Sequence, residues 1–211
     1  MLRDVKTGKI KFAALSNGDK DSIFAMYVAA TFGWNTACML TTSSDAVIAK
    51  QATAMNIPLI TEQSSGEEIA DLYEAVKKAK EQHNITGVIV SSKYEIMNKV
   101  CKELQLRMFA PLWQKNPEVI LKEMIEMGME ICVRSINSYV LGEQWLGKTM
   151  DMNAYAQLMQ LHQRIGLEPE NAYNSVVLYC PLLFQKKLTI TKAEKVMESE
   201  SKGTYVMEVA V

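Results

Sequence analysis

The chain has 211 residues, 48% of them hydrophobic and 22% charged, which is enough apolar surface for a sizeable core and too little charge for a disordered chain. Its 23 basic and 24 acidic side chains leave a formal net charge of -1, which gives no indication of a general polyanion-binding role and leaves local nucleic-acid contact open. No apolar run approaches the roughly 20 residues of a membrane span, and residues 1–9 lack the apolar core of a signal peptide, so a cytoplasmic protein without a membrane partner is expected.

From the N-terminus, Ile10 to Leu15 is a short apolar run suited to a strand buried on both faces of a parallel sheet. From Asp21 onward Ile23, Phe24, Met26, Tyr27 and Ala30 recur at helical spacing, and Gly33 offers a stop. The turn between them, Asn17-Gly18-Asp19-Lys20-Asp21-Ser22, feeds a helix N-terminus, where unpaired amides and the helix dipole favour an anion. Asp and Ser are also ordinary helix caps, so the same turn reads as a plain surface cap. A second strand is predicted at Thr36 to Thr41, a helix at Asp45 to Met55 and a third strand at Pro58 to Thr61. Glu67 to Gln82 has Ile69, Leu72, Tyr73, Val76 and Ala79 on one helical face. Thr86 to Ser91 reads as a strand and Tyr94 to Leu104 as a helix. This alternation predicts an α/β fold with a doubly wound parallel sheet, whose ligands bind at the carboxyl ends of its strands.

Past about Leu106 the pattern changes, and we divide the chain into a nucleotide-binding domain at 1–105 and a smaller C-terminal α/β domain at 106–211. The second part is predicted to hold helices at Glu118 to Met127 and Asp151 to Ile165. Its strands are expected at Glu130 to Ile136, Ser175 to Cys180, Lys187 to Ile190 and Tyr205 to Val211. Cys38, Cys101, Cys132 and Cys180 have no CxxC spacing and read as reduced core thiols. His83 and His162 lie on separate predicted helices, against a zinc site.

The turn at Asn17 to Ser22 resembles the SGGKDS loop of the PP-loop ATP pyrophosphatases, with Asn17 for the first Ser and Asp19 for the second Gly. Asn and Asp tolerate positive φ better than other non-glycine residues. A carboxylate about 4 Å from a phosphate charge nevertheless costs on the order of 4 kcal/mol at an effective dielectric near 20. Four further segments, in order along the chain, resemble one branch of these enzymes, the diphthine ammonia ligase family. They are Asn56-Ile57-Pro58-Leu59 for GIPL, Phe109 to Trp113 for TPLW, Leu141 to Gly147 for LGxxWLG, and Val177 to Lys187 for the segment through PLFxxK. The family's GEGGEFET-like signature falls on Glu168 to Ser175, where its glycines and glutamate pattern are replaced. The segment around Ser43 to Val47 is shortened.

The resemblance implies a PP-loop, Rossmann-like domain followed by a smaller C-terminal domain. It also implies ATP-dependent adenylation of the diphthine carboxylate of translation elongation factor 2, followed by attack of ammonia, with Mg2+ as cofactor and AMP and pyrophosphate as products. On this chain it assigns catalysis to Lys20, Asp21 and Ser22, phosphate contact to Asn17, Gly18, Asp19, Lys20, Asp21 and Ser22, and Mg2+ to Asp19 and Asp21. Thr41, Thr42, Ser91, Lys93 and Tyr94 would complete the nucleotide site, although strand ends and a helix start account for the same residues. Trp113, Trp145, Asn171, Tyr173, Asn174 and Ser175 are the substrate candidates, with core packing the other role of the tryptophans. A catalytically degenerate nucleotide-binding or protein-interaction relative stands as the alternative. An RNA-acting enzyme is disfavoured because the chain has no cysteine pair, basic arm or positive balance. A homodimer is compatible with the sequence.

Overall fold

The computed structural model describes residues 10–166, 172–199 and 201–211, with the side chains of residues 165, 198 and 205–207 set aside. In chain order the first five strands and four helices are β1 (Lys11–Leu15), α1 (Lys20–Thr31), β2 (Asn35–Thr41), α2 (Ala46–Met55), β3 (Leu59–Thr61), α3 (Glu68–His83), β4 (Gly87–Ile89), α4 (Tyr94–Glu103) and β5 (Arg107–Phe109). Their strands form a parallel sheet of order β3-β2-β1-β4-β5. The order reverses between β1 and β4, and the loops after those two strands meet at the switch point where such sheets bind ligands.

Both faces of this sheet are covered. Ala13, Cys38, Leu40 and Val88 pack with Leu72, Val76 and Ala79 of α3 and Met97, Val100 and Cys101 of α4. Phe12, Ala14, Met39 and Ile89 point the other way, into the core that α1 and α2 close. Successive strand residues alternate faces, so each strand must be apolar throughout, as the sequence run Phe12 to Leu15 is. Of the predicted α3 face, Leu72, Val76 and Ala79 are buried, whereas Ile69 is exposed.

The remaining elements are α5 (Pro117–Glu126), β6 (Glu130–Asn137), a single 3-10 turn at Glu143–Trp145, α6 (Met152–Ile165), β7 (Tyr173–Tyr179), β8 (Thr189–Ser199) and β9 (Lys202–Ala210). The four strands make an antiparallel sheet of order β7-β6-β9-β8. Its buried face, with Ile131, Val133, Ile136, Val176 and Val177, belongs to the same apolar core as α1 and α2, and Ile120 and Met124 of α5 join it.

Helix starts follow the caps written in the sequence. Asp19, Asp45, Asn116 and Asp151 each accept a hydrogen bond from a backbone N–H in the first turn of the helix they precede. Two strands differ from expectation. Beyond the expected boundary at residue 105, β5 pairs with β4 as the fifth strand of the parallel sheet. The last hairpin is also longer than its two apolar ends suggested, because β8 runs on through Lys192 and Glu194 to Ser199 with most of its side chains exposed. An edge strand of this kind carries little hydrophobic signal.

Close packing at β4 gives a direct test. A Cβ on Gly87 would lie 2.5 Å from the Phe12 ring and 2.7 Å from the Arg107 carbonyl. Gly87→Ala is therefore expected to lower stability by about 1–3 kcal/mol, as overpacked cores do, measured as a reduced urea midpoint at unchanged slope. All four cysteines are buried and free. Burial pushes the Cys38 and Cys180 thiols up to about 12 and those of Cys101 and Cys132 up to about 11. Because the unfolded chain gives up these protons first, near pH 9, stability should fall as pH rises above about 9, by up to ~1.4 kcal/mol per pH unit for each thiol. Urea midpoints at pH 8, 9 and 10 would read this out.

Candidate active site

The turn between β1 and α1 closes on itself. Ser16 and Ser22 are buried and their hydroxyl oxygens lie 2.9 Å apart. Gly18 N–H donates to Ser16 Oγ (3.1 Å) and Asp19 N–H to Asn17 Oδ1 (3.3 Å). Gly18 has φ +80, and a Cβ there would meet Gln51 Oε1 at 2.7 Å, so this retained glycine is required by both backbone and space. Asp19 has an extended backbone, φ -78 and ψ 172, and its Oδ1 accepts the Ser22 N–H at 2.8 Å. The carboxylate thus stands at the positive end of α1, the place an anionic ligand would favour.

The antiparallel sheet holds the turn from the other side. Gln51, buried on α2, donates through Nε2 to the carbonyls of Gly18 (2.9 Å) and Val177 (2.8 Å). Val177 N–H donates to the Gly18 carbonyl (3.3 Å), and Lys20 N–H to Ser175 Oγ (3.2 Å). The turn is therefore pinned by β7. Lys20 Nζ pairs with Asp21 Oδ2 at 2.6 Å and lies 6.0 Å from the centre of the Tyr173 ring. Burial alone would lower the Lys20 pKa, but Asp21, Tyr173 and Asp19 together outweigh it and hold the pKa above its ordinary value, so the ammonium is retained.

Two cavities flank Asp19. One, of about 210 Å³, lies between Asp19, Lys20 and Asp21 and the Ser91, Ser92, Leu112 and Lys115 side. The other, of about 320 Å³, lies between Asn17 and Asp19 and the strands β6, β7 and β9, with Arg134, Asn174 and Ser175 in its lining. Arg134 Nη1 is ion-paired with Asp45 Oδ2, joining the antiparallel sheet to the start of α2.

The site gathers most of the predicted residues, with exceptions. Asn17, Gly18, Asp19, Lys20, Asp21, Ser22, Tyr173, Asn174 and Ser175 come together, and Ser91 lines the smaller cavity. Thr41 is buried with its Oγ1 accepting from Ser43 N–H (3.1 Å), and Thr42 follows it at the end of β2. Lys93 reaches away to an ion pair with Glu68, while Tyr94 stacks on half-exposed Trp113 with ring centres 4.1 Å apart. Trp145 is in the core, with Lys148 Nζ 4.4 Å from its ring centre. Asn171 lies outside the described residues, as do Glu168 to Glu170 of the altered signature. Asp21 is engaged with Lys20 and Asp19 with the helix start, and no group of three or more His, Cys, Asp or Glu residues among the described residues could hold a metal.

Residues 116–211 match the diphthamide synthase C-terminal domain. The chain is 36% identical over 147 residues to diphthine–ammonia ligase of Mus musculus, covering 65% of this chain and 54% of that protein. It is 35% identical over 144 residues to the Homo sapiens enzyme of the same name, covering 64% and 53%. A Schizosaccharomyces pombe diphthine–ammonia ligase is 28% identical over 183 residues, covering 76% of this chain and 30% of its own length. The chain is thus similar to diphthine–ammonia ligases over about two thirds of its length. It spans about half the length of the mammalian relatives it matches. The segment that matches the diphthamide synthase C-terminal domain contains β7, which clamps the Asn17–Ser22 turn.

Sequence reasoning missed Gln51, Arg134, Lys115, Lys202 and Thr204, which complete the clamp and the cavities. Gln51 alone carried a signal, a polar residue on the helical face formed by Val47, Ile48, Ala52 and Met55. Gln51→Ala is expected to cost about 2–3 kcal/mol, through two lost hydrogen bonds to buried carbonyls. Urea unfolding would give that loss, and hydrogen exchange should rise at the Gly18 and Val177 amides.

Proposed function

We propose that this chain is an ATP-dependent amide ligase acting in diphthamide synthesis, which joins ammonia to the diphthine carboxylate of translation elongation factor 2 in the cytoplasm. The observation that carries this reading is the clamp of β7 onto a PP-loop-like turn at the switch point, because it unites a phosphate-type loop with the family's C-terminal domain.

A carboxylate and ammonia do not condense at neutral pH, so the carboxylate must first gain a leaving group. In the proposed sequence a carboxylate oxygen attacks the α-phosphorus of ATP, the bond to the β-phosphate oxygen breaks and pyrophosphate leaves. Ammonia then adds to the acyl carbon, AMP departs, and the nitrogen loses a proton to give the amide. Lys20 is the cation placed for the phosphates, held charged and oriented by Asp21. Ser91 and Lys115 line the same side. Mg2+, arriving with the nucleotide, would offset phosphate charge, and Asp19, whose Oδ1 caps the helix, would offer it Oδ2.

A second reading, a non-catalytic relative, draws on one observation. Asp19 occupies the helix N-terminus with its own negative charge, and the amides of Gly18, Asp19, Lys20 and Ser22 all have internal acceptors. Calorimetry with ATP, with and without Mg2+, on wild type and Asp19→Asn separates the two, because Asn keeps the cap and removes the charge. Under the ligase reading wild type binds ATP only with Mg2+, Asp19→Asn does not improve it, and AMP forms when ammonia and diphthine-bearing elongation factor are supplied. Absent ATP binding in wild type, gained at least tenfold in Asp19→Asn, would sink it.

A further inference from the structure

Asp19 is the wall between two cavities, and their linings differ in chemistry. The smaller one lies along Lys20, Ser91 and Lys115 at the carboxyl edge of the parallel sheet. The larger one belongs to the antiparallel sheet, and no nucleotide-type loop contributes to it beyond Asn17 and Asp19.

The larger cavity is built by a defect in strand pairing. Neighbouring residues of a regular strand face opposite ways, yet Arg134 and Ser135 of β6 both line it, as do Asn174 and Ser175 of β7. The β6–β7 register slips here. Val133 lies opposite Ser175 and Ser135 opposite Asn174, which leaves Arg134 as the extra residue of a bulge. A bulge re-aims a side chain, and such bulges concentrate beside active sites. Across the other edge of β6, Thr204 of β9 lies opposite Ser135.

The lining suits a carboxylate. Arg134 spends one N–H on Asp45, which fixes the guanidinium, and Arg carries five donors. Lys202 supplies a second cation. Thr204 Oγ1 is buried and makes no hydrogen bond among the described residues, an expensive state that a ligand oxygen would relieve. Asn174 Nδ2 donates to Ser135 Oγ at 3.0 Å, which holds both side chains in place. The cavity, at about 320 Å³, is at the small end of ligand pockets and fits one side chain. Beyond Ser135, Asn174 and Lys202 it adjoins a groove of about 570 Å³ bordered by exposed Tyr139, room for the polypeptide carrying that side chain.

We infer that this cavity is the acceptor site, which takes the carboxylate of a protein-borne side chain at Arg134, Lys202 and Thr204 and presents it to the nucleotide across Asp19. The assignment rests on the ligase reading for its substrate. It adds the residues that choose the acceptor, none of which lies in the PP-loop-like turn.

The probe is a synthetic peptide carrying diphthine, titrated calorimetrically into the full chain, beside separate ATP titrations. Lys202→Gln is expected to weaken the peptide at least tenfold and Thr204→Val about three- to tenfold, with the ATP dissociation constant within twofold of wild type. Thr204→Val keeps the volume and the β9 pairing, so its effect is separable from any loss of structure in Arg134→Gln, which also strips Asp45 of its partner. Peptide affinity unchanged in Lys202→Gln and Thr204→Val, no peptide binding by wild type, or a loss of ATP affinity instead would each overturn the assignment. The two proposals fail differently. A chain that binds no ATP but loses peptide in these variants keeps its acceptor site and is no ligase. A working ligase whose KM for the diphthine substrate is unmoved by Lys202→Gln and Thr204→Val has its acceptor site elsewhere.

Discussion

Gln51 joins a carbonyl of the turn after β1 to a carbonyl of the antiparallel sheet, and most of the site depends on that bridge. Gly18 must present its carbonyl inward because its positive φ turns the chain there, and Val177 presents its own from β7. The Gly18 carbonyl has the Val177 N–H as a further donor, and one Gln51 amide group reaches both carbonyls at once. The Gln51 Oε1 atom is left without a hydrogen bond among the described residues, so the arrangement costs something even here. What it secures is the position of β7, and with β7 the placement of Tyr173, Asn174 and Ser175 against the turn.

Charge at the turn is arranged around the same constraint. The start of α1 needs a negative partner, and Asp19 supplies it from within the chain. Lys20 is then free of the helix start and turns to Asp21 beneath the Tyr173 ring. A glycine at position 19, as in SGGKDS, would leave the helix start to a ligand. The exchange of Gly for Asp therefore decides whether the turn greets a phosphate with amides alone or with a carboxylate among them. It is also why the two cavities are separate spaces with Asp19 between them.

The parts of the fold that were legible in the sequence are those where local and tertiary preferences agree. The caps at Asp45, Asn116 and Asp151 each sit just before an apolar helical period, and each caps the helix predicted after it. Buried strands β1 and β2 are apolar on both faces because both faces are covered. β5 was missed because Arg107, Met108 and Phe109 are too few to show a period, and its membership in the sheet comes from pairing with β4. β8 was missed for the opposite reason, since an exposed edge tolerates charged residues along most of its length. Among site candidates, Trp145 shows the limit of composition. An indole serves a core or a ligand equally well, and packing put this one in the core.

The sequence by itself determined the doubly wound parallel sheet, the turn at its first strand, the helix caps and the family of the C-terminal domain. These are written in local periods and in ordered short motifs, which one chain segment carries alone. Only the tertiary structure decided that Gln51 would hold the turn and that a bulge at Arg134 would open a cavity with Lys202 and Thr204. The reason is distance along the chain. Gly18 and Val177, or Asp45 and Arg134, meet only after both sheets have packed on one core, and no local preference of either residue anticipates its partner.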